Sequence, residues 1–224
     1  MSDIILSEEL DGAILHEEGD VLLQAIYSAG PGIVMQPVIE PVSLDEMKKH
    51  LRVDIDDDDE LIQAMITAAR THIENITRRA FLTQTWDKCL QSWPAANFIK
   101  LPYGNLQSVT FIKWIDADGI ENIIDEKDYI VERNGALVGR IVLPAGKGWP
   151  SGSLSASNPI TIRFTCGWVT PILVPGPIKS AIKLFCADLY ERRGDAVIGG
   201  TNYAVYENKT MGVLLPSYKL WDGM

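Results

Sequence analysis

The chain has 224 residues, of which 46% are hydrophobic and 22% are charged, and these are the proportions of an ordinary globular protein. No apolar run approaches the ~20 residues that a membrane-spanning helix needs, and the start of the chain has neither the basic residues nor the apolar block of a secretory signal. The 30 acidic and 20 basic side chains give a net charge of −10, which argues against a protein that wraps nucleic acid, because phosphate binding needs clustered Lys and Arg.

Negative charge is concentrated near the start of the chain. Residues 1–60 contain 16 acidic and 3 basic side chains, a net charge of −13, whereas residues 61–224 contain 14 acidic and 17 basic side chains, a net charge of +3. The first 40 residues also show weak periodicity and a breaker stretch at residues 29–32. We therefore predict an N-terminal extension over residues 1–40, with a short helix or strand around Val21–Tyr27.

Two helices are predicted after this extension. Ser43 and Glu46 have the spacing of a capping box, and apolar residues at helical spacing continue the first helix to about Leu51. The second helix follows the acidic run, which we define as Asp56–Glu60, and its apolar period of 3.6 residues extends to about Arg78. The last carboxylates of the run are expected to meet the unpaired backbone amides at the N-terminus of this second helix.

From about residue 83 the pattern changes to short strands. β-branched and aromatic residues alternate with polar ones, and Asp116–Gly119 and Asn134–Gly135 have the turn chemistry of hairpins. The predicted strands cover residues 84–90, 98–101, 108–115, 129–132, 137–143 and 160–165. Pro175 and Pro177 then open a third helix that Gly194 ends, and the residues beyond it show no helical pattern.

This order of elements predicts an α+β fold. Two N-terminal helices and one C-terminal helix form a small helical bundle, an antiparallel β-domain is inserted between them, and an extended C-terminal tail follows. The predicted segments are residues 1–40 (extension), 41–82 (helical part), 83–170 (β-domain), 171–194 (C-terminal helix) and 195–224 (tail).

No group of residues in the sequence has the spacing of a catalytic or metal site. The aspartates from Asp54 onward begin like a calcium loop, but the sixth and twelfth positions of that loop hold Asp59 and Met65 instead of Gly and Glu. The 3 histidines and 3 cysteines are far apart, unlike zinc ligands or a disulfide framework. We therefore predict a protein that is not an enzyme and needs no cofactor or metal; a metal-dependent enzyme with an acidic site is the less favoured alternative.

The last part of the tail is apolar but too short to build a core of its own. Its large apolar side chains, called below the C-terminal apolar residues, are Leu214, Leu215, Tyr218, Leu220 and Trp221. Such a segment either docks on its own domain or inserts into a partner, and the sequence favours neither.

Several motifs between residues 41 and 86 occur together in one family of proteins. They are Pro41-Val-Ser-Leu-Asp-Glu-Met-Lys-Lys-His-Leu-Arg-Val-Asp54, Asp59-Glu-Leu-Ile62, Ala68-Ala-Arg70, Thr77-Arg-Arg-Ala80 and Thr83-Gln-Thr-Trp86. As a set they resemble the head–tail connector (adaptor) proteins of tailed bacteriophages, and a looser similarity continues to about residue 193.

This resemblance implies a structural virion protein. Members of the family form a ring, typically of twelve copies, beneath the portal, where it extends the DNA channel and offers a platform for tail attachment. The implied partners are the portal protein, tail or tail-terminator and stopper proteins, further copies of the chain and passing double-stranded DNA without specific binding, with no membrane. The implied location is the head–tail interface of the virion, after assembly in the host cytoplasm. A tail-completion or tail-terminator protein of the same neck region is the alternative.

Two site hypotheses follow from the resemblance. Asp56, Asp57, Asp58, Asp59 and Glu60 would face the channel, where carboxylates repel DNA phosphates within a Debye length of ~8 Å. The competing interpretation is that these residues face outward as solubilising charge. The C-terminal apolar residues would anchor the subunit on the portal, because burying apolar area contributes ~25 cal/mol per Å².

Overall fold

The computed structural model describes residues 32–191 and 209–220. The helices are α1 (Leu44–Leu51), α2 (Asp59–Thr77), α3 (Gly176–Glu191) and α4 (Lys209–Leu214), and short 3-10 helices lie at Glu126–Asp128, Pro171–Leu173 and Pro216–Tyr218. The strands are β1 (Gly32–Met35), β2 (Gln84–Leu90), β3 (Phe98–Leu101), β4 (Leu106–Ile115), β5 (Glu121–Ile123), β6 (Ile130–Glu132), β7 (Gly139–Val142) and β8 (Ile160–Cys166). Helices and antiparallel sheets together confirm the predicted α+β class.

The ends of α1 and α2 follow the local chemistry of the sequence, with one exception. The Ser43 hydroxyl accepts a hydrogen bond from the Glu46 amide at 3.2 Å, as the capping box predicts. At the N-terminus of α2, however, the side chain of the cap residue Asp58 bonds no helix amide. It accepts a hydrogen bond from the Tyr190 hydroxyl of α3 at 2.6 Å instead. For Asp58, the predicted contact between carboxylate and amide is therefore wrong, because a tertiary partner replaces the local one.

The helices share one apolar core. α2 contributes a stripe of buried residues that includes Ile62, Ile66 and Ile73, and α3 faces it with a stripe that includes Ile178 and Ile182. This spacing at three and four residues is the helical period from which α2 was predicted. Residues 80–82 connect α2 to β2 and take part in both cores: Phe81 and Leu82 are buried among the helices, and Ala80 is buried among the sheets.

Two antiparallel sheets enclose a second core. The larger has the strand order β1-β2-β8-β4-β5, and the smaller has the order β3-β7-β6. All six predicted strands are present with small shifts of their ends. β1 and β5, which the sequence did not predict, are the edge strands of the larger sheet. They have 4 and 3 residues, too few to show an alternating pattern.

Gly167 closes the turn that follows β8. Its φ of +107° lies in the region that glycine tolerates, and a Cβ at this position would collide with the backbone carbonyl of Leu82. The next residue, Trp168, forms a parallel bridge with Leu82. This close approach joins the end of the central strand to the segment that connects the two cores.

Residues 209–220 differ from the predicted extended tail. They form α4 and a 3-10 helix, so the expectation that no helix follows Gly194 is wrong. The segment folds against the helices, and Leu215 is part of their core. A helix of 6 residues is too short to be recognised from its own period, because its conformation depends on the surface on which it packs. The predictions for Val21–Tyr27 and Trp221 lie outside the described residues.

Candidate functional site

The acidic run lies at the turn between α1 and α2, where a lysine partly neutralises it. The Lys48 ammonium lies 2.6 Å from an Asp56 carboxylate oxygen and 2.7 Å from one of Asp59. The hydrogen bond from Lys48 lowers the pKa of Asp56 below its ordinary value. Asp56 is therefore ionised and paired with Lys48 at neutral pH, although its side chain remains 88% exposed.

The other three residues of the acidic run divide between solvent and the fold. Asp57 and Glu60 are exposed, whereas Asp58 is half-buried against Tyr190. The exposed negative charge of the run therefore comes mainly from Asp56, Asp57 and Glu60. These three carboxylates can repel a polyanion or keep the surface hydrated, which are the two roles predicted for the run.

Four of the five C-terminal apolar residues lie against the chain's own fold. Leu215 and Leu220 are 4% and 9% exposed, and Leu214 and Tyr218 pack on the helical core at its margin. Backbone bonds hold the same segment: the Leu220 amide donates to the Thr77 carbonyl at 2.9 Å, and the Arg79 guanidinium donates to the Tyr218 carbonyl. Of the two arrangements left open by the sequence, docking on its own domain is the one these four residues adopt here.

A buried charge network joins the helices to the start of the larger sheet. Arg70, which is 2% exposed, pairs with Glu40 at 2.8 Å and with Glu74 at 2.7 Å. The Glu74 carboxylate also accepts hydrogen bonds from the Phe81 amide at 2.7 Å and from the Gln84 side chain at 2.6 Å. Burial raises the pKa of Glu74, while Arg70 acts in the opposite direction. The network therefore fixes α2 to the residues before α1 and to the start of β2.

Sequence reasoning missed this network, although a signal for it was present. Arg70 and Glu74 have the spacing of a helical ion pair, and Arg70 falls next to the apolar stripe of α2. A long charged side chain at such a position needs a buried partner. Glu40 could not be foreseen as that partner, because the two residues are separated by 30 positions in the chain.

The cysteines are spread over both cores. Cys166 and Cys186 are buried, and burial raises the pKa of both thiols, that of Cys186 to about 11. They are therefore protonated at neutral pH. Among residues 32–191 and 209–220, no group of three or more His, Cys, Asp or Glu side chains could hold a metal ion, and no helix is long and apolar enough to cross a membrane.

Exposed apolar side chains occur in two segments of the chain, residues 35–39 at and after the end of β1 and residues 169–173 before α3. We call the exposed side chains of these two segments the apolar patch; they are Met35, Val38, Ile39, Val169, Ile172 and Leu173. Val38 is 94% exposed and Ile172 is 86% exposed. Val38 and Ile39 border the same groove as Pro171, the residue before Ile172, so the two segments approach each other there. Apolar patches of this kind mark contacts with other molecules.

Residues 41–135 match the model of a family described as phage gp6-like head–tail connector protein. This part of the chain is similar to that family. The resemblance read from the motifs of residues 41–86 is thereby confirmed. The matched residues contain α1, the acidic run, α2 and the strands from β2 to β6. Beyond them lie α3, the apolar patch residues 169–173 and the C-terminal apolar residues.

The fold is shared with chains of gene transfer agent particles. A chain from the virion of the native particle is 20% identical, with a TM-score of 0.69, over 87% of this chain and 97% of that chain. A chain from the neck of the empty particle, computed with C6 symmetry, is 20% identical, with a TM-score of 0.67, over 86% of this chain and 97% of that one. A chain from the neck of the native particle, computed with C12 symmetry, is 19% identical, with a TM-score of 0.66 and the same coverage. No curated protein matches the chain.

Proposed function

We propose that the protein is a structural subunit of a head–tail connector ring, placed between the portal and the tail of a phage-like particle. The observation that carries this proposal is the match of residues 41–135 to the connector family, supported by a fold shared with gene transfer agent neck chains over 97% of their length. One of those necks was computed with C12 symmetry, which supports a ring of twelve copies. In this ring the helical part of each subunit lines the DNA channel. The β-domain is inserted in the chain between the helices of that part, and the protein has no enzymatic role.

The apolar patch supplies the surface that such a ring needs. A closed ring is built from head-to-tail contacts, so each subunit buries one face against each neighbour. Val38 and Ile172 are too exposed to contribute to the fold of a single chain, but they would add apolar area to an interface between copies. We therefore place one of the two ring contacts at this patch.

The acidic run has the charge expected of a channel surface that DNA passes without binding to it. Asp57 and Glu60 carry exposed negative charge, and repulsion between carboxylates and phosphates acts within ~8 Å at physiological salt. Lys48 is held between two aspartates and is thereby restrained from pairing with a phosphate. We propose that the run faces the channel; its exposure on the outer wall of an assembled ring would contradict this.

The C-terminal apolar residues are proposed as the portal anchor. Since Leu215 and Leu220 are buried in the free subunit, attachment through them requires that the segment first leave its bonds to Thr77 and Arg79. The contacts that the segment makes with its own subunit are then replaced by contacts with the portal. Docking on the portal is therefore coupled to a rearrangement of residues 209–220.

Complementation of particles that lack this protein tests the connector function. Wild-type protein should restore tail attachment and appear in the purified particles, whereas Ile172→Asp should be absent from them because a charge is placed at the ring contact. Ile172→Val is the matched control that keeps the contact apolar and should restore attachment. Circular dichroism should show both variants folded, since the side chain is 86% exposed. Tail attachment without incorporation of the wild-type protein would contradict the proposal.

A further inference from the structure

One side of the β-domain is formed by two edge strands. β5 is an edge strand of the larger sheet, and β6 is an edge strand of the smaller sheet. Val131 of β6 borders the same pocket as Val109 of β4, the strand that pairs with β5. The open edges of both sheets therefore lie on the same side of the core that the sheets enclose.

Three isoleucines on this side are exposed, and we call them the edge isoleucines. Ile120 is 60% exposed, Ile123 is 67% exposed and Ile130 is 51% exposed. Ile123 lies opposite Lys113 of β4, and the neighbouring Ile112 is buried, so Ile123 projects from the outer face of the sheet. Glu121, the one acidic residue of β5, is paired with Lys113 at 3.1 Å. The edge therefore offers apolar side chains beside a charge that already has a partner.

The backbone of β5 is open on the same side. The Ile124 amide donates to the Ile112 carbonyl of β4 at 2.9 Å, and the Ile120 carbonyl accepts a hydrogen bond from the residue that follows β4. Because backbone groups alternate in direction along a strand, those of Glu121 and Ile123 point away from β4. No strand of the described chain lies beyond β5. Another chain can therefore approach this edge closely.

The apolar patch begins at the opposite edge of the same sheet. In the strand order of the larger sheet, β1 and β5 are separated by β2, β8 and β4. Neighbouring strands are about 4.8 Å apart, so the two edges are roughly 19 Å apart. Met35 is the last residue of β1, and Val38 and Ile39 follow it closely. The subunit thus carries two different apolar surfaces at opposite edges of one sheet.

We propose that the edge isoleucines of one subunit contact the apolar patch of the next copy, and that this is how neighbouring subunits join. The inference rests on the proposed ring. A closed ring joins two different surfaces of each subunit, whereas contact between two copies of one surface stops at a dimer. In a ring of twelve, the two neighbours of a subunit lie on nearly opposite sides of it, as the two apolar surfaces do. Their contact removes both surfaces from water, which favours association.

Disulfide formation between engineered cysteines in purified particles tests the contact. In a Cys89→Ser background, chains that carry both Val38→Cys and Ile123→Cys should link into a ladder of multimers on oxidation, because each chain then bonds to both neighbours. Chains with only one of the two substitutions should remain monomeric, and a mixture of the two single variants should link no further than dimers. Ile172→Cys in place of Val38→Cys tests the other segment of the apolar patch.

Val213→Cys is the matched control for Ile123→Cys, because it lies in α4 at an 80% exposed position. Paired with Val38→Cys, it should give no ladder. A single variant that forms dimers would show two copies of one surface in contact and would overturn the proposal. If the chain is present in particles but neither pair gives a ladder, this contact is wrong and the connector function stands. If the wild-type chain is absent from particles, both proposals fail.

A charge at the edge gives an independent measurement in the same particles. Ile123→Glu should be lost from them, because it would place a carboxylate against the apolar patch of the next subunit, whereas Ile123→Val and Val213→Glu should be incorporated like the wild type. Both positions are more than half exposed, so circular dichroism should show all three variants folded. Particles that contain Ile123→Glu but lack tails would assign the edge isoleucines to a tail protein and would overturn the proposal.

Discussion

Replacing Arg70 with Met removes the only cation of a buried charge network, as far as the described residues show. Arg70 bridges Glu40 and Glu74, whose side chains are each 11% exposed. The Met side chain fills most of the volume of the arginine stem but leaves two carboxylates facing each other without a counter-charge. Each of them then carries the cost of an ion held away from water.

The expected loss of stability is large. Breaking a buried ion pair by removing one partner typically costs about 3–5 kcal/mol, and here one cation serves two carboxylates. We therefore expect the free energy of unfolding to fall by about 4–5 kcal/mol at pH 7.5. Arg133→Met is a matched control at an exposed position and should change the free energy by less than about 0.5 kcal/mol.

The pH dependence of this loss has a definite sign. Burial already raises the pKa of Glu74, and removal of Arg70 raises it further because the favourable charge is gone. Between the unfolded and the folded pKa, the folded state binds more protons than the unfolded state, so lowering the pH stabilises the folded variant. The difference between wild type and Arg70→Met should therefore shrink from pH 7.5 to pH 5.

Urea unfolding followed by circular dichroism measures these differences. Adding Glu74→Gln to Arg70→Met should recover at least about 1 kcal/mol at pH 7.5, because it removes one of the two unpaired charges while keeping an acceptor for the Phe81 amide. A loss below about 1 kcal/mol for Arg70→Met, or a loss that grows as the pH falls, would refute the reasoning.

Further predictions concern the C-terminal segment, the thiols and the turn after β8. Leu215→Ala should lower the free energy of unfolding by about 2–5 kcal/mol, whereas Val213→Ala, at an 80% exposed position, should change it by less than about 0.5 kcal/mol in the same urea experiment; equal effects would contradict the packing of the segment. In the native protein at pH 8, a thiol reagent should modify Cys89 first and Cys186 far more slowly, because burial raises the pKa of Cys186 to about 11; simultaneous modification would contradict this order. Gly167→Ala should destabilise the protein by at least about 1–3 kcal/mol, and a neutral effect in thermal unfolding would show that the turn adapts.

The elements predicted from the sequence were those whose signal is local. α2 has 19 residues and repeats its apolar positions over several turns, so its period identifies it. β2 and β8 alternate or carry β-branched residues over 7 positions each, and they pair in full register. The capping box at Ser43 likewise depends on residues three positions apart.

The elements that were missed depend on distant partners. β1 becomes a strand because β2 offers it hydrogen bonds, and its 4 residues carry too little pattern to indicate this. Asp58 leaves its expected amide partners for Tyr190, which lies 132 positions away. Leu215 is buried by helices that precede it by more than twenty residues in the chain. In each case the deciding interaction is tertiary, and a single sequence shows only one side of it.

The fold shows where part of the negative charge near the start of the chain is located. The acidic run lies at the α1–α2 turn, where Lys48 pairs with the carboxylates of Asp56 and Asp59. The exposed carboxylates of Asp57 and Glu60 are the part of the run that remains available to a neighbouring molecule.

A particle reconstruction at the neck tests the connector function most directly. The density between portal and tail should contain a ring of twelve copies into which residues 32–191 fit, with the acidic run on the channel side and the apolar patch buried between neighbouring copies. A ring density that this fold does not fit, or the chain found in another part of the particle, would contradict the proposed function.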